Sequence, residues 1–400
     1  MPLDHQKVQG NPGLIEKILL EIDLNGPMSF ARFMELALYD VPHGYYMTKK
    51  VEPDLPSSDR IGWGGDFYTA PELSPILAKT LVRQILAIDD QLGHPAQFTF
   101  MEIGAGNGTF AFDFIQECRS INSDFYHRLS YQIIERSPHL QSRQAAKLSE
   151  IGEGWGNNHL SWKSSLESVD SDSVTGVVFS NELVDALPVH RVRMADHRLH
   201  EMCVAYKGGH FVECLDHRLS PNLIDYIETH KVALSEGQTS ELHLAAEIWM
   251  KHVARLLRRG VVVTVDYGHT RSDYYRSDRK DGTFLCYYRH AISTDPYSRV
   301  GEQDMTAHVN FSALASVGTT SGLDLIGFTT MANWLIGLGV EELVRDQDQE
   351  SEDVRALTQL LRPHGMGTTF KVLAQRKGME PFPLQGLRYR AFFDDAVSSY

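Results

Sequence analysis

Apolar residues in the first forty positions recur at three- and four-residue spacing: Leu14, Ile18, Leu19 and Ile22, then Phe30, Phe33, Met34 and Ala37. That is the period of one helical face, and it predicts helix from about Gly13 to Tyr39. The pattern then lapses. HGYYMTKKVEPDLPSSDRIGWGGDFYTAPE, from His43 to Glu72, is rich in Gly, Pro, Ser and Asp and reads as a long loop. Loops of that length inside a compact chain are usually functional or disordered. LSPILAKTLVRQILAIDDQLG resumes the helical period, with Pro75 inside its first turn.

The middle of the chain changes character. Short apolar runs, FTFMEIG, YQIIE, TGVVFSNE and GVVVTVDYG, alternate with helical patterns such as TFAFDFIQECRSI and SPHLQSRQAAKLSE. Runs of this length separated by helices predict an α/β fold with a parallel sheet buried on both faces. From about His190 to Cys214 the chain instead alternates in period two, with Gly208-Gly209 as a hairpin signal. This predicts an antiparallel ribbon, followed by a helix near Leu223 to His230, inserted between two core strands. DLIGFTTMANWLIGLG and TTFKVLAQRKG read as the last elements of the sheet. The expected divisions are 1–65, an N-terminal helical extension and loop; 66–189, the first part of the core; 190–245, the inserted ribbon and helix; and 246–400, the second part of the core with a C-terminal tail.

Composition narrows the function. A formal charge of −14 disfavours a nucleic-acid binder and permits a cationic ligand or a basic protein partner. No apolar run reaches the length of about 18 residues that suggests a membrane span. The N-terminal MPLDHQKVQGNPGLIEKILLEIDL carries acids and lacks an apolar signal core or an Arg-rich transit pattern, which predicts a cytoplasmic location. The cysteines Cys118, Cys203, Cys214 and Cys286 form no CxxC pair, so neither a disulfide framework nor a zinc ribbon is expected. Nor is metal expected at His190, His197, His200, His210 and His217, because their spacing fits no ligand set and a strand sends side chains to both faces.

The chemistry lies at the ends of the apolar runs, each of which finishes in an acid: Glu102, Glu135, Glu182 and Asp266. In an open α/β sheet ligands bind beyond the carboxyl ends of the strands. The first run continues as Gly104-x-Gly106-x-Gly108 into a helix. Glycines there allow a tight turn and close approach of a ligand to the backbone. A dinucleotide site would read GxGxxG, but Thr109 stands where that pattern would be completed. Glu102, two residues before the turn, would repel a pyrophosphate and suits a ligand bearing an ammonium and a sulfonium, as S-adenosylmethionine does. Glu135 can accept both hydroxyls of a ribose; the alternative is a plain helix N-terminal acid before Ser137-Pro138. Trp162 offers an aromatic edge for adenine or, alternatively, a core side chain. Asn181, Glu182 and Asp185 cluster at the third strand end, where they can hold an amine or guanidinium and take its proton, or cap a helix.

These residues carry a family resemblance. HGYYM, GGDFYTAPELS, MEIGAGNGTF, SNELVDALPVHR, VDYGH, GTFLCYYRH and GEQDMTAHVNF together resemble the MidA family over most of the chain. The resemblance implies a Rossmann-like, seven-stranded methyltransferase sheet, S-adenosyl-L-methionine as cofactor, and an arginine side chain of a protein as acceptor, such as a subunit of a respiratory complex I. Mitochondrial members assist assembly of that complex. It also implies that Gly104, Gly106 and Gly108 form the cofactor turn, that Glu135 is the ribose acid, and that the stretch around Asp66 and Thr69 lies over the cofactor. His308 beside Asp304 falls in a family-specific stretch, which points to a role at the substrate cleft or to a buried pair that fixes a loop. Two departures are Asn310, where an acid is expected, and the lengthened RSDYYRSDRKDG. Two other functions stay open at this stage: a non-catalytic assembly protein that keeps the fold, and a nicotinamide oxidoreductase.

Overall fold

The computed structural model describes residues 8–49, 60–62, 65–67, 69–152, 159–345, 347–348, 351–363 and 365–389. The chain forms two compact units, each assembled from three stretches: Met1–Phe67, Asp185–Glu247 and Arg271–Asn310 in the smaller, and Tyr68–Val184, Ile248–Thr270 and Phe311–Tyr400 in the larger. Among the described residues no helix is long and apolar enough to cross a membrane.

Among the described residues the larger unit holds the strands β1 (Phe98–Ile103), β2 (Leu129–Ile134), β3 (Leu160–Lys163), β4 (Val174–Asn181), β5 (Leu257–His269), β6 (Asp324–Thr330) and β7 (Phe370–Lys377). Their order is β6-β7-β5-β4-β1-β2-β3. β3, β2, β1, β4 and β5 run parallel, while β7 is antiparallel to both β5 and β6. Every residue of β1 is buried, as expected for a strand covered on both faces. From β1 the chain moves outward through β2 and β3, then crosses back to lay β4 on the other side of β1. That reversal is the place where open α/β sheets bind ligands. Helices α1 (Ile76–Leu92), α2 (Thr109–Ile121) and α3 (Pro138–Ser149) cover the sheet. Pro75 stands at the N-cap of α1, one position before the first turn. At α3 the Ser137 hydroxyl accepts from Leu140 N and Pro138 takes the first turn, a pre-organised helix start. Phe100, Phe110, Phe114, Phe179 and Tyr131 fill the core beneath the glycine turn with rings in mutual contact.

In the smaller unit the first helical stretch is two helices, Pro12–Asn25 and Phe30–Tyr39. Gly26 (φ 81°) breaks the expected continuity, and Met28–Ser29 is extended and pairs with Val204 and Cys203. The ribbon forms as His190–Ala195, Arg198–Lys207 and His210–Asp216, all antiparallel. Gly208 and Gly209, at φ 61° and 90°, make the hairpin turn that two positive φ values require. The helix after the ribbon is Pro221–Thr229. Residues 271–310, expected with the second part of the core, belong to this smaller unit, where Leu285–Tyr288 pairs with Ala291–Ser293 and Asp304–Thr306. Phe284, Cys286, Met305 and Ala307 join Leu14, Phe30, Phe33 and Val204 in its core, so burial ties segments that are distant in sequence.

Candidate functional site

The glycine turn follows β1 directly. Gly104, Gly106 and Gly108 have φ of 75°, 52° and 82°, a region that side chains disfavour. A Cβ on Gly104 would also stand 2.7 Å from Leu183 Cδ1. Thr109, the residue that breaks the dinucleotide pattern, donates its hydroxyl to Glu72 Oε1 at 2.8 Å, and Asn107 Nδ2 donates to the same oxygen at 3.3 Å. Glu72 ends the TAPE stretch, whose residues Ala70–Leu73 form a short helix. The segment from Gly64 to Glu72, expected over the cofactor, is therefore tied to the turn at its last residue; Gly64 and Tyr68 lie outside the described residues.

The strand-end acids divide by role. Glu135 is buried; its Oε1 accepts from Ser137 N at 2.8 Å and its Oε2 from Gln144 Nε2 at 3.0 Å. Burial raises its pKa, which those bonds oppose. Glu102 is 3% exposed and takes the Tyr131 hydroxyl at 2.6 Å. Burial pushes its pKa up to about 8, with Glu135 adding to the rise. The bond of Glu102 with Tyr131 braces β1 against β2. Asp266 is fully buried and serves as a pin: Oδ2 accepts from Leu183 N at 3.2 Å and Val184 N at 2.9 Å, and Oδ1 from Tyr267 N at 2.9 Å.

Asn181 closes β4, and Glu182 follows with φ 52°, an uncommon conformation for a side-chain-bearing residue and one that marks functional or strained positions. Glu182 Oε1 accepts from Ala70 N at 3.2 Å and from Asn181 Nδ2 at 3.0 Å. So the larger unit brings together Asn181, Glu182 and the residue after Thr69. Thr69 itself makes no side-chain cap to the helix it precedes.

Asp185 and His308 belong to the smaller unit, where the Asp185 carbonyl accepts from Ala307 N at 3.0 Å and His308 N donates to Thr283 Oγ1 at 3.1 Å. Asp66 is also in that unit and is fully buried. Its Oδ2 accepts from Tyr45 at 2.9 Å and its Oδ1 from Arg289 N at 2.9 Å. These bonds tie the Asp66 loop to Tyr45 and to the backbone at Arg289. Asp304 takes the Tyr46 hydroxyl at 2.7 Å, and Asn310 Nδ2 donates to Tyr275 at 3.3 Å. On the ribbon, His190 meets Glu201 at 2.7 Å and His200 meets the Ala195 carbonyl at 3.1 Å.

Sequence reasoning missed Glu72 and Gln144. Glu72 lies inside the TAPE stretch and is identified only by its bonds to Thr109 and Asn107. Gln144 has the sequence signature of an ordinary polar position on an amphipathic helix, yet it is fully buried.

A narrow turn of left-handed glycines, a buried acid just after the next strand, and acceptors at the switch-point strand end suit a nucleoside ligand with cationic substituents. The profile of a family of S-adenosyl-L-methionine-dependent methyltransferases matches residues 80–329. A protein from Burkholderia thailandensis, crystallised bound to S-adenosyl-homocysteine, has a TM-score of 0.84 and 29% identity, with 98% of each chain covered. The protein arginine methyltransferase NDUFAF7 homolog, mitochondrial, of Drosophila melanogaster is 26% identical over 94% of this chain and 89% of its own. The human protein arginine methyltransferase NDUFAF7, mitochondrial, is 23% identical over 94% and 86%. These relatives overturn the expected cytoplasmic location, since they are mitochondrial.

Proposed function

The chain belongs to the MidA family of S-adenosylmethionine-dependent methyltransferases, and from that premise we propose that its acceptor is an arginine side chain of a protein. The observation that carries the reading is at the end of β4. Asn181 Oδ1 is a buried acceptor with no hydrogen-bond partner among the described residues, while its Nδ2 is committed to Glu182. An orphaned amide oxygen beside a carboxylate suits a donor-only group, and guanidinium offers five N–H donors in a planar fork. The relatives named as arginine methyltransferases support the same acceptor, and the acidic charge of −14 suits a cationic partner better than a phosphate backbone.

When bound, S-adenosylmethionine supplies an electrophilic methyl group and leaves as S-adenosyl-homocysteine. In this reading Gly104, Gly106 and Gly108 let the backbone approach it, and Glu135 accepts from its ribose hydroxyls. A protonated guanidinium is a poor nucleophile. Asn181 orients it, and Glu182 draws its charge toward the nitrogens away from the reacting one and accepts the proton released as the new N–C bond forms.

The test is mass spectrometry of proteins from cells with and without the chain, searching for lost methyl groups on arginine. Glu182→Gln should keep the affinity for S-adenosyl-homocysteine and lower the transfer rate by about 10²-fold or more. A methyl group found on a nucleobase nitrogen, or full activity of Glu182→Gln, would sink the reading.

A further inference from the structure

Gln144 lies on α3, outside every motif recognised in the sequence, and is 0% exposed. Its amide makes three hydrogen bonds. Nε2 donates to the Gly106 carbonyl at 3.0 Å and to Glu135 Oε2 at 3.0 Å, and Oε1 accepts from Trp162 Nε1 at 3.0 Å. The partners fix the orientation of the amide, since two are pure acceptors and the third a pure donor. No other side chain of this size satisfies all three: a carboxylate would face two acceptors, and an apolar chain would orphan three buried groups. The fit extends to the backbone, because a Cβ on Gly108 would stand 3.2 Å from Gln144 Cα.

We infer that Gln144 is a positioning residue of the cofactor site, holding the Gly106 carbonyl, the Glu135 carboxylate and the Trp162 indole in one arrangement and so setting the recognition of the ribose. The inference rests on the cofactor reading of the turn and of Glu135, not on the identity of the acceptor. Gly106 follows β1, Glu135 follows β2 and Trp162 lies in β3, so the three are far apart along the chain. A single amide reaching all of them makes the placement of the ribose acid depend on the turn. Without that amide, Glu135 Oε2 loses the donor that holds it and can rotate away from a ribose hydroxyl.

The experiment is calorimetry of the full chain with S-adenosyl-homocysteine and with its 2′-deoxyribose analogue, for wild type, Gln144→Met, Glu135→Ala and the double variant. Gln144→Met is close in length and apolar; Gln144→Glu, closest in shape, replaces it if Gln144→Met fails to fold. Wild type should prefer the ribose ligand. Gln144→Met should weaken S-adenosyl-homocysteine by about tenfold or more, with the preference for the ribose ligand shrinking toward none. The double variant should bind no more weakly than Glu135→Ala alone, because both changes remove one interaction. If Gln144→Met weakens both ligands by the same factor and adds its full effect to Glu135→Ala, it is merely structural and the inference is overturned. A wild type that binds neither ligand overturns the cofactor reading as well, which distinguishes the two failures.

Discussion

In the larger unit the strand-end acids take main-chain N–H groups, Asp266 from Leu183, Val184 and Tyr267, Glu135 from Ser137 and Glu182 from Ala70, whereas in the smaller unit Asp66, Asp304 and Glu241 take the hydroxyls of Tyr45, Tyr46 and Tyr274. The division has exceptions: Glu102 takes Tyr131, and Asp66, Asp304 and Glu241 each also take one main-chain N–H. The difference matters because an acid bonded to amides dictates a backbone path whatever the neighbouring side chains are. An acid bonded to a tyrosine fixes one side chain, and only while that residue is a tyrosine. The first device builds a turn on which a ligand can rest, and the other stiffens a frame.

The sharpest break of the comparison is at the turn itself. Gly106→Val puts a β-branched side chain at φ 52°, where it is strained and fills space a ligand would approach. S-adenosyl-homocysteine binding should fall below detection by calorimetry while circular dichroism shows the fold retained. Unchanged affinity would contradict the cofactor turn.

Breaking one such tie in each unit compares the two devices. Asp266→Ala orphans three N–H groups around a fully buried position and should cost about 3 kcal/mol or more in denaturant unfolding. Tyr46→Phe removes one hydroxyl and should cost about 1 kcal/mol. It should also raise the Asp304 pKa, already about 6 through burial, because the Tyr46 bond, with the Met305 amide and Arg60, opposes that rise. Equal losses from the two substitutions would erase the distinction between backbone pins and side-chain ties.

Much of the larger unit was legible in the sequence because its signals are local. An apolar run, an acid, three glycines and a helical period lie within about a dozen residues, and each follows from backbone sterics or burial. The ribbon was legible for the same reason, with Gly208-Gly209 marking its turn. The rest depended on pairings across the chain. Tyr46 and Asp304 are 258 residues apart, and the placement of residues 271–310 in the smaller unit follows from its core contacts. Gln144 was invisible because its helix carries a polar pattern in which one more amide does not stand out. At Glu102 the sequence shows a potential charge but not the burial that raises its pKa.

Glu102 supplies an effect visible only as a slope against pH. Burial lifts its pKa from an ordinary value near 4.5 to about 8, so folding takes up a proton between those limits. The stabilisation associated with the protonated acid is complete below about 4.5 and is lost as pH rises through about 8, where the buried group must ionise. Glu102→Gln keeps the shape and an oxygen for the Tyr131 hydroxyl and cannot ionise. Urea unfolding at several pH values from about 5 to 9, without ligand, should show wild type losing stability relative to the variant as pH rises, with the two similar near pH 5. A difference that stays constant across the window would mean that Glu102 is already ionised in the folded chain. The neutral brace between β1 and β2 would then be wrong, and the acid would again be available as a charged partner for a cationic ligand.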